Sequence, residues 1–213
     1  METLEMLPIR VRITSLLRKA IYAGEFRGGD ELSLTDIAAR LGISRTPVRE
    51  AFQELEKEGL ITLRMNKGAV VNTVDRKFVR DIFEMRILLE SEAAARAAEN
   101  GMDCEALLKR VYALQDHFET LEKHEYVALN QDIHLCIWNA AENHQLKKYL
   151  LEMWNGPSVR SDPAAELDHF RRSTREHIDI LQMIRERKPE EARKAMAQHI
   201  TRSMDNILSR FPL

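Results

Sequence analysis

Cysteine, proline and glycine are all scarce in this chain of 213 residues: two, six and eight respectively. Cys104 and Cys136 stand too far apart for a CxxC redox pair or a zinc knuckle, so both are expected as reduced core thiols. No stretch approaches the roughly 18 uncharged apolar residues that a membrane-spanning helix needs, and charged residues make up 31% of the chain. The opening METLEMLPIRVR has scattered charge and no apolar core ahead of a small-residue cleavage site, unlike a secretory signal. A soluble, cytoplasmic protein with no membrane partner is expected. An excess of one sign of charge is also missing. The net charge of −2 argues against a nonspecific polyanion binder, although the first 74 residues carry eleven Lys/Arg against ten Asp/Glu.

What is present is a hydrophobic content of 44%, enough for one large core or two small ones. Seven of the eight glycines precede residue 102, so the first third is cut into short pieces and the remainder is not. Ile9, Ile13, Leu16, Leu17, Ala20 and Ile21 have the spacing of an amphipathic helix over 9–23. Ser33 with Asp36 opens a short helix that Gly42 ends. Ser44 caps the next, which tolerates Pro47 in its first turn and runs to Glu58. Leu60–Leu63 and Ala69–Val74 then read as a hairpin with a basic tip. From Phe78 on, helices are expected near 78–99, 103–122, 123–142, 145–154, 165–187 and 190–209. The fold class is therefore mainly α: a winged helix-turn-helix over 1–74, a linker at 75–77, and an all-helical antiparallel bundle over 78–213.

The second short helix begins Ser44-Arg45-Thr46-Pro47-Val48-Arg49-Glu50, which puts Arg45 and Arg49 on one face in its first two turns. Recognition helices offer these positions to the major groove, where arginine bonds guanine O6/N7 or reaches phosphate. Glu50, Glu54, Glu56 and Glu58 farther along repel phosphate and favour an end-on approach. Lys67 and Gly68 at the wing tip can follow the backbone or enter the minor groove. The segment Leu41-Gly42-Ile43-Ser44-Arg45-Thr46-Pro47-Val48-Arg49-Glu50-Ala51, with Leu55 to Leu60 and a glycine-containing wing, resembles the DNA-binding domain of GntR-family bacterial regulators. That resemblance implies operator contacts from Ser44, Arg45, Thr46 and Arg49, assisted by Asn66, Lys67 and Gly68. The preceding helix opens Leu32-Ser33-Leu34-Thr35, where many members have a Leu-Ser-Glu type of opening.

All seven histidines fall in the last hundred residues. On the helix over 123–142, Asn130 and His134 are one turn apart beside Val127, Ile137 and Ala141. His177 aligns with Phe170, Thr174, Leu181 and Ile184, and His199 with Ala192, Ala195 and Met196. His177 lies eleven residues before position 188 and His199 eleven after it, so a helical hairpin turning there brings both rings to one level, roughly 16 Å from the turn. Three histidines and an amide oxygen can thus converge on a divalent transition metal, zinc first, with nickel and manganese as the other candidates. The remaining histidines, 117, 124, 144 and 169, read as solvated. Arg86 falls by angle in the middle of an apolar stripe formed by Phe78, Ile82, Met85, Leu89 and Ala93. It either pairs with Glu90 or offers a guanidinium to a carboxylate ligand beside the metal.

Glu84-Met85-Arg86, Leu89-Glu90 and the alanines after it, Asn130 to His134, Asn143, Glu176-His177 and Ala192 to Ile200 resemble the helical FCD ligand-binding domain of the FadR subfamily. The resemblance implies a metal held by Asn130, His134, His177 and His199, with Asn130 where Asp is frequent, and a small organic acid sensed next to it. The expected protein is a homodimeric transcription regulator, acting as a repressor on a pseudo-palindromic double-stranded operator. It is not expected to be an enzyme. The alternatives are a metal-free regulator whose histidines bind the acid directly, and a three-histidine metalloenzyme.

Overall fold

A computed structural model describes residues 9–22, 24–65, 68–116, 118, 121–154 and 163–209. The chain order is α1 (Ile9–Tyr22), β1 (Glu31–Leu32), α2 (Leu34–Leu41), α3 (Arg45–Lys57), β2 (Ile61–Arg64), β3 (Gly68–Val71), α4 (Arg76–Glu99), α5 (Glu105–Asp116), α6 (Lys123–Ala140), α7 (His144–Trp154), α8 (Pro163–Arg185) and α9 (Pro189–Leu208). It forms two compact units that divide between Phe78 and Val79. Among the described residues no helix is long and apolar enough to cross a membrane.

The first unit is a winged helix-turn-helix. Val48, Ala51, Phe52 and Leu55 repeat at helical spacing on α3 and are fully buried against Ile13, Leu17 and Ile21 of α1. Ser33 caps α2 by accepting from the Asp36 N–H, and Gly42 closes it at φ +66, with its N–H returned to the carbonyls of Ala38 and Ala39. Arg18 of α1 pairs through Nε (2.7 Å) and Nη2 (2.5 Å) with both oxygens of Glu58, so the C-cap residue of α3 is tied to α1. The wing is a three-stranded antiparallel sheet in the order β1-β3-β2, with Leu32 opposite Ala69 and Leu63 opposite Ala69 on the other side. The sequence pointed to two of these strands. The two-residue β1 is too short to show an alternation, and only pairing with β3 defines it. Gly68 sits at φ +87, and a Cβ there would lie 2.0 Å from the Leu32 carbonyl oxygen. Its lack of a side chain is thus a demand of the sheet.

α4 begins at Arg76, where Asp75 Oδ1 accepts the Phe78 N–H, so Arg76 and Lys77 of the expected linker lie in its first turn. The second unit is all-helical. Five alanines of α4, at 93, 94, 95, 97 and 98, have no exposed surface, which lets neighbouring backbones approach closely. α8 and α9 form a hairpin whose contacts open outward symmetrically: His177 meets His199, and His169 meets Arg202 and Asn206. Pro189 takes the first position of α9, where no hydrogen-bond donor is required. Ile133, Ile137 and Trp138 of α6 and Ile180, Leu181, Ile184, Met196 and Ile200 of the hairpin complete the core.

The buried stripe of α4 differs from the one expected. Val79, Phe83 and Glu90 are buried and Arg86 nearly so, whereas Met85 is 48% exposed. An inward ion pair replaced two apolar positions, and a count of apolar residues cannot see that.

Candidate nucleic-acid interface and metal centre

At the start of α3, Ser44, Arg45, Thr46 and Arg49 are all exposed. Ser44 has the extended backbone of an N-cap, yet its hydroxyl makes no capping bond, contrary to the expectation from sequence. The first turn also lacks an acidic residue. Free N–H groups and the helix dipole therefore present positive potential at the end that carries both arginines. Neither Arg45 nor Arg49 has an ion-pair partner among the described residues. The glutamates farther along α3 are occupied by the fold: Glu54 with Lys57, Glu56 with the Leu63 N–H, and Glu58 with Arg18. Asn66 and Lys67 lie outside the described residues.

In the helical unit, α6, α8 and α9 each supply one imidazole to a single buried cluster. His134, His177 and His199 are at most 3% exposed, and one ligand nitrogen from each lies within 4.8 Å of the others. His134 and His177 face each other through Nε2 atoms 3.3 Å apart. His134 Nδ1 stands 2.5 Å from Glu90 Oε2, and His199 Nδ1 stands 2.7 Å from Glu176 Oε2. Glu90 Oε1 in turn accepts from Arg86 Nε (2.8 Å) and Nη2 (2.7 Å). Glu176 is clasped by Arg202, whose Nη2 lies 2.7 Å from Oε2 and whose Nε also contacts Oε1.

The electrostatics orient the rings. Burial opposes ionisation of Glu90, but the Arg86 guanidinium and His134 outweigh it and hold the carboxyl down at about 2. Glu176 is lowered in the same way, against burial, by His199 and Arg202. Both are anionic acceptors, so His134 and His199 each turn Nδ1 toward a carboxylate, while His134 Nε2 faces His177 Nε2. Burial, reinforced by the neighbouring imidazoles, holds His177 well below its ordinary range, and burial lowers His199 as well. His177 and His199 are thus held uncharged, and each of the three rings brings one nitrogen to the cluster. Nitrogen ligands about 2.0–2.1 Å from a tetrahedral ion stand about 3.3 Å apart, the separation seen between His134 and His177. Carboxylates behind ligating histidines are the usual arrangement of such sites. The residues present therefore suit a divalent transition metal. Asn130, half-buried, precedes His134 by one turn of α6.

Arg86 is 11% exposed, with Cζ 4.9 Å from the Phe83 ring and 5.4 Å from the Trp154 ring. Its Nη1 has no hydrogen-bond partner among the described residues. The sequence reading offered Glu90 only as a neutralising partner, and the structure adds that the same carboxylate orients His134. Glu176 was not assigned a role at all, although its place beside His177 and Arg202's place one turn after His199 were the available signals. His169 was read as solvated. It is instead half-buried, with Nδ1 3.1 Å from Arg202 Nη1 and 3.2 Å from Asn206 Nδ2. His124 and His144 are exposed, and His117 lies outside the described residues. Trp138 Nε1 is buried without a hydrogen-bond partner among the described residues, an arrangement that costs about 1–3 kcal/mol.

Residues 81–202 match the FCD domain family, and residues 9–71 match the gntR family of bacterial regulatory proteins. This chain is a GntR-family regulator with an FCD domain. It is 28% identical to the Nta operon transcriptional regulator of Aminobacter aminovorans over 86% of this chain and 87% of that one. It is 30% identical to the Uxu operon regulator of Haemophilus influenzae over 89% and 78%. The HTH-type transcriptional repressor RspR of Escherichia coli K12 is 26% identical over 94% and 89%. Among solved structures, Escherichia coli McbR/YncC has the same fold, with a TM-score of 0.71 at 20% identity, covering 96% of this chain and 99% of that one. The GntR-family regulator is thus a DNA-binding transcription factor, and the relatives it matches are transcriptional regulators rather than enzymes. Its buried histidine cluster can hold a metal ion as in FCD domains.

Proposed function

We propose that this regulator is a metal-dependent sensor of a small organic acid that acts on transcription as a homodimeric repressor. The observation that carries the reading is the meeting of three buried imidazoles backed by the anionic carboxylates of Glu90 and Glu176. His134, His177 and His199 hold the ion through their free ring nitrogens, with Asn130 as an oxygen ligand. A bound divalent ion supplies a Lewis-acidic position, open to a carboxylate oxygen. Arg86 stays anchored to Glu90 through Nε and Nη2 and offers Nη1 to the same carboxylate. Zinc suits a set of three histidine nitrogens and one amide oxygen, with nickel or manganese the other candidates.

Residues 1–74 are the DNA-binding part and 78–213 the effector-binding and dimerisation part. Ser44, Arg45, Thr46 and Arg49 enter the major groove end-on, and the wing tip at Asn66, Lys67 and Gly68 contacts the flanking backbone. Two such heads on a two-fold axis read a pseudo-palindromic operator in the cytoplasm. Occupancy by the acid shifts the helical part between two states of different operator affinity. A repressor among the relatives supports the sign of regulation.

The test is elemental analysis of untagged protein purified without chelator, followed by operator binding with and without candidate acids. Stoichiometric metal, lost in His177→Ala, and acid-induced release from DNA are expected. Metal-free protein whose acid binding is unaffected by added divalent ions would return the histidines to direct effector contacts.

A further inference from the structure

We infer that Trp138 is a ligand-anchoring residue, whose indole N–H donates to an acceptor oxygen of the acid bound beside the histidine cluster. The assignment rests on the effector reading above and adds to it a named donor and the chemistry of the wall around it. Trp138 is 1% exposed, and its Nε1 is a buried polar atom with no hydrogen-bond partner among the described residues. Buried polar groups in folded proteins nearly always have partners, and the exceptions need a reason, a bound molecule being one. An indole N–H only donates, so its missing partner is an acceptor: neither a metal ion nor an ammonium group satisfies it.

The surroundings say which acceptor. The Trp138 ring stands edge-on to His134, centroids 6.0 Å apart, and to Trp154 at 5.3 Å. Trp154 lies 4.9 Å from His134 and 5.4 Å from the Arg86 guanidinium carbon. Both oxygens of Glu90, the buried carboxylate of this region, are already engaged by Arg86 and His134. Among the described residues two donors of this region are left uncommitted, Arg86 Nη1 and the Trp138 N–H, and the Phe83 and Trp154 rings flank the Arg86 guanidinium. A compact anion with several acceptor oxygens satisfies both, one oxygen at Arg86 and another, from the carboxylate or an adjoining carbonyl or hydroxyl, at Trp138.

The chain has two tryptophans, so full-length protein labelled with ¹⁵N at the indoles gives two side-chain cross-peaks, and Trp138→Phe assigns them. Zinc-saturated protein is titrated with acetate and with malonate. The Trp138 indole proton is expected to move downfield with the acid, and Trp138→Phe is expected to weaken acid binding about five- to fifteen-fold. Wild-type binding with an unmoved Trp138 indole and an unchanged affinity in Trp138→Phe would overturn the assignment and leave the effector reading intact. If zinc-saturated wild type binds neither acid, the effector reading falls and this assignment with it. Should Trp138→Phe fail to fold, the indole shift in the wild type, assigned through Trp154→Phe, decides alone.

Discussion

His134 Nδ1 and Glu90 Oε2 meet at 2.5 Å across two helices, and the other oxygen of Glu90 holds Arg86. One fully buried carboxylate thus orients an imidazole of the histidine cluster and a nearly buried guanidinium at once. Removing its charge strands a nearly buried arginine.

Glu90→Gln is accordingly expected to lower stability in chelator by about 3 kcal/mol, because breaking one side of a buried pair leaves the other uncompensated. Zinc affinity is expected to fall about 10- to 100-fold as the carboxylate behind His134 is lost. Denaturant melts and competitive zinc titration check the two effects separately. A stability change under 0.5 kcal/mol would mean that water replaces the carboxylate at Arg86.

Glycines 42 and 68 both have positive φ, but they are predicted to respond differently to alanine. Gly42 faces open space, so only the left-handed backbone is strained, at about 1 kcal/mol. Gly68→Ala drives a Cβ into the Leu32 carbonyl and is expected to cost more than 3 kcal/mol and to abolish operator binding through loss of the wing. Similar melting temperatures for the two variants would contradict this.

Arg45→Ala and Arg49→Ala are each expected to weaken specific operator binding by about 1–3 kcal/mol while leaving stability unchanged, since neither side chain has an ion pair in the fold. Titrations at several salt concentrations distinguish the contacts. Equal losses on operator and random DNA, with a shallower salt slope, would reassign an arginine from base to phosphate.

Burial raises the Cys104 thiol to about 11, and Cys136 is raised too, again by burial first. At pH 8 an ordinary thiol near 8.5 is about one quarter thiolate, and one near 11 is about 0.1%. Ellman's reagent is therefore expected to leave Cys104 untouched in the native protein and to label both thiols after unfolding. Fast labelling of Cys104 in native protein would show that the start of α5 opens readily.

Much of this arrangement was legible beforehand, for reasons that differ by element. Glycine and serine punctuation located α2 and α3, because Gly42 and Ser33 act through their own backbone and nearest neighbours. The equal spacing of His177 and His199 about position 188 anticipated their meeting, because a helical hairpin converts sequence distance directly into height; the rings lie 4.6 Å apart. The surroundings of α4 were legible only in part. The spacing placed Arg86 inward with Glu90 as a partner, but it put Met85 on the same face, and His134 on the other side of Glu90 comes from a distant helix that local spacing does not reveal. Ser44 was misjudged for a related reason. Its position is that of a cap, but whether its hydroxyl closes on the helix or stays open is a rotamer choice that residue type does not determine.

The placement of both tryptophans against His134 has an optical consequence. Light absorbed at 295 nm is taken up by indole alone, so the protein's ultraviolet emission comes entirely from the neighbourhood of the histidine cluster, with no contribution from the winged head. A change in that emission when operator DNA is added to unlabelled protein would report a rearrangement at the histidine cluster caused by binding at the winged head. By reciprocity, an acid that weakens operator binding by some factor must have its own binding weakened by operator DNA by the same factor.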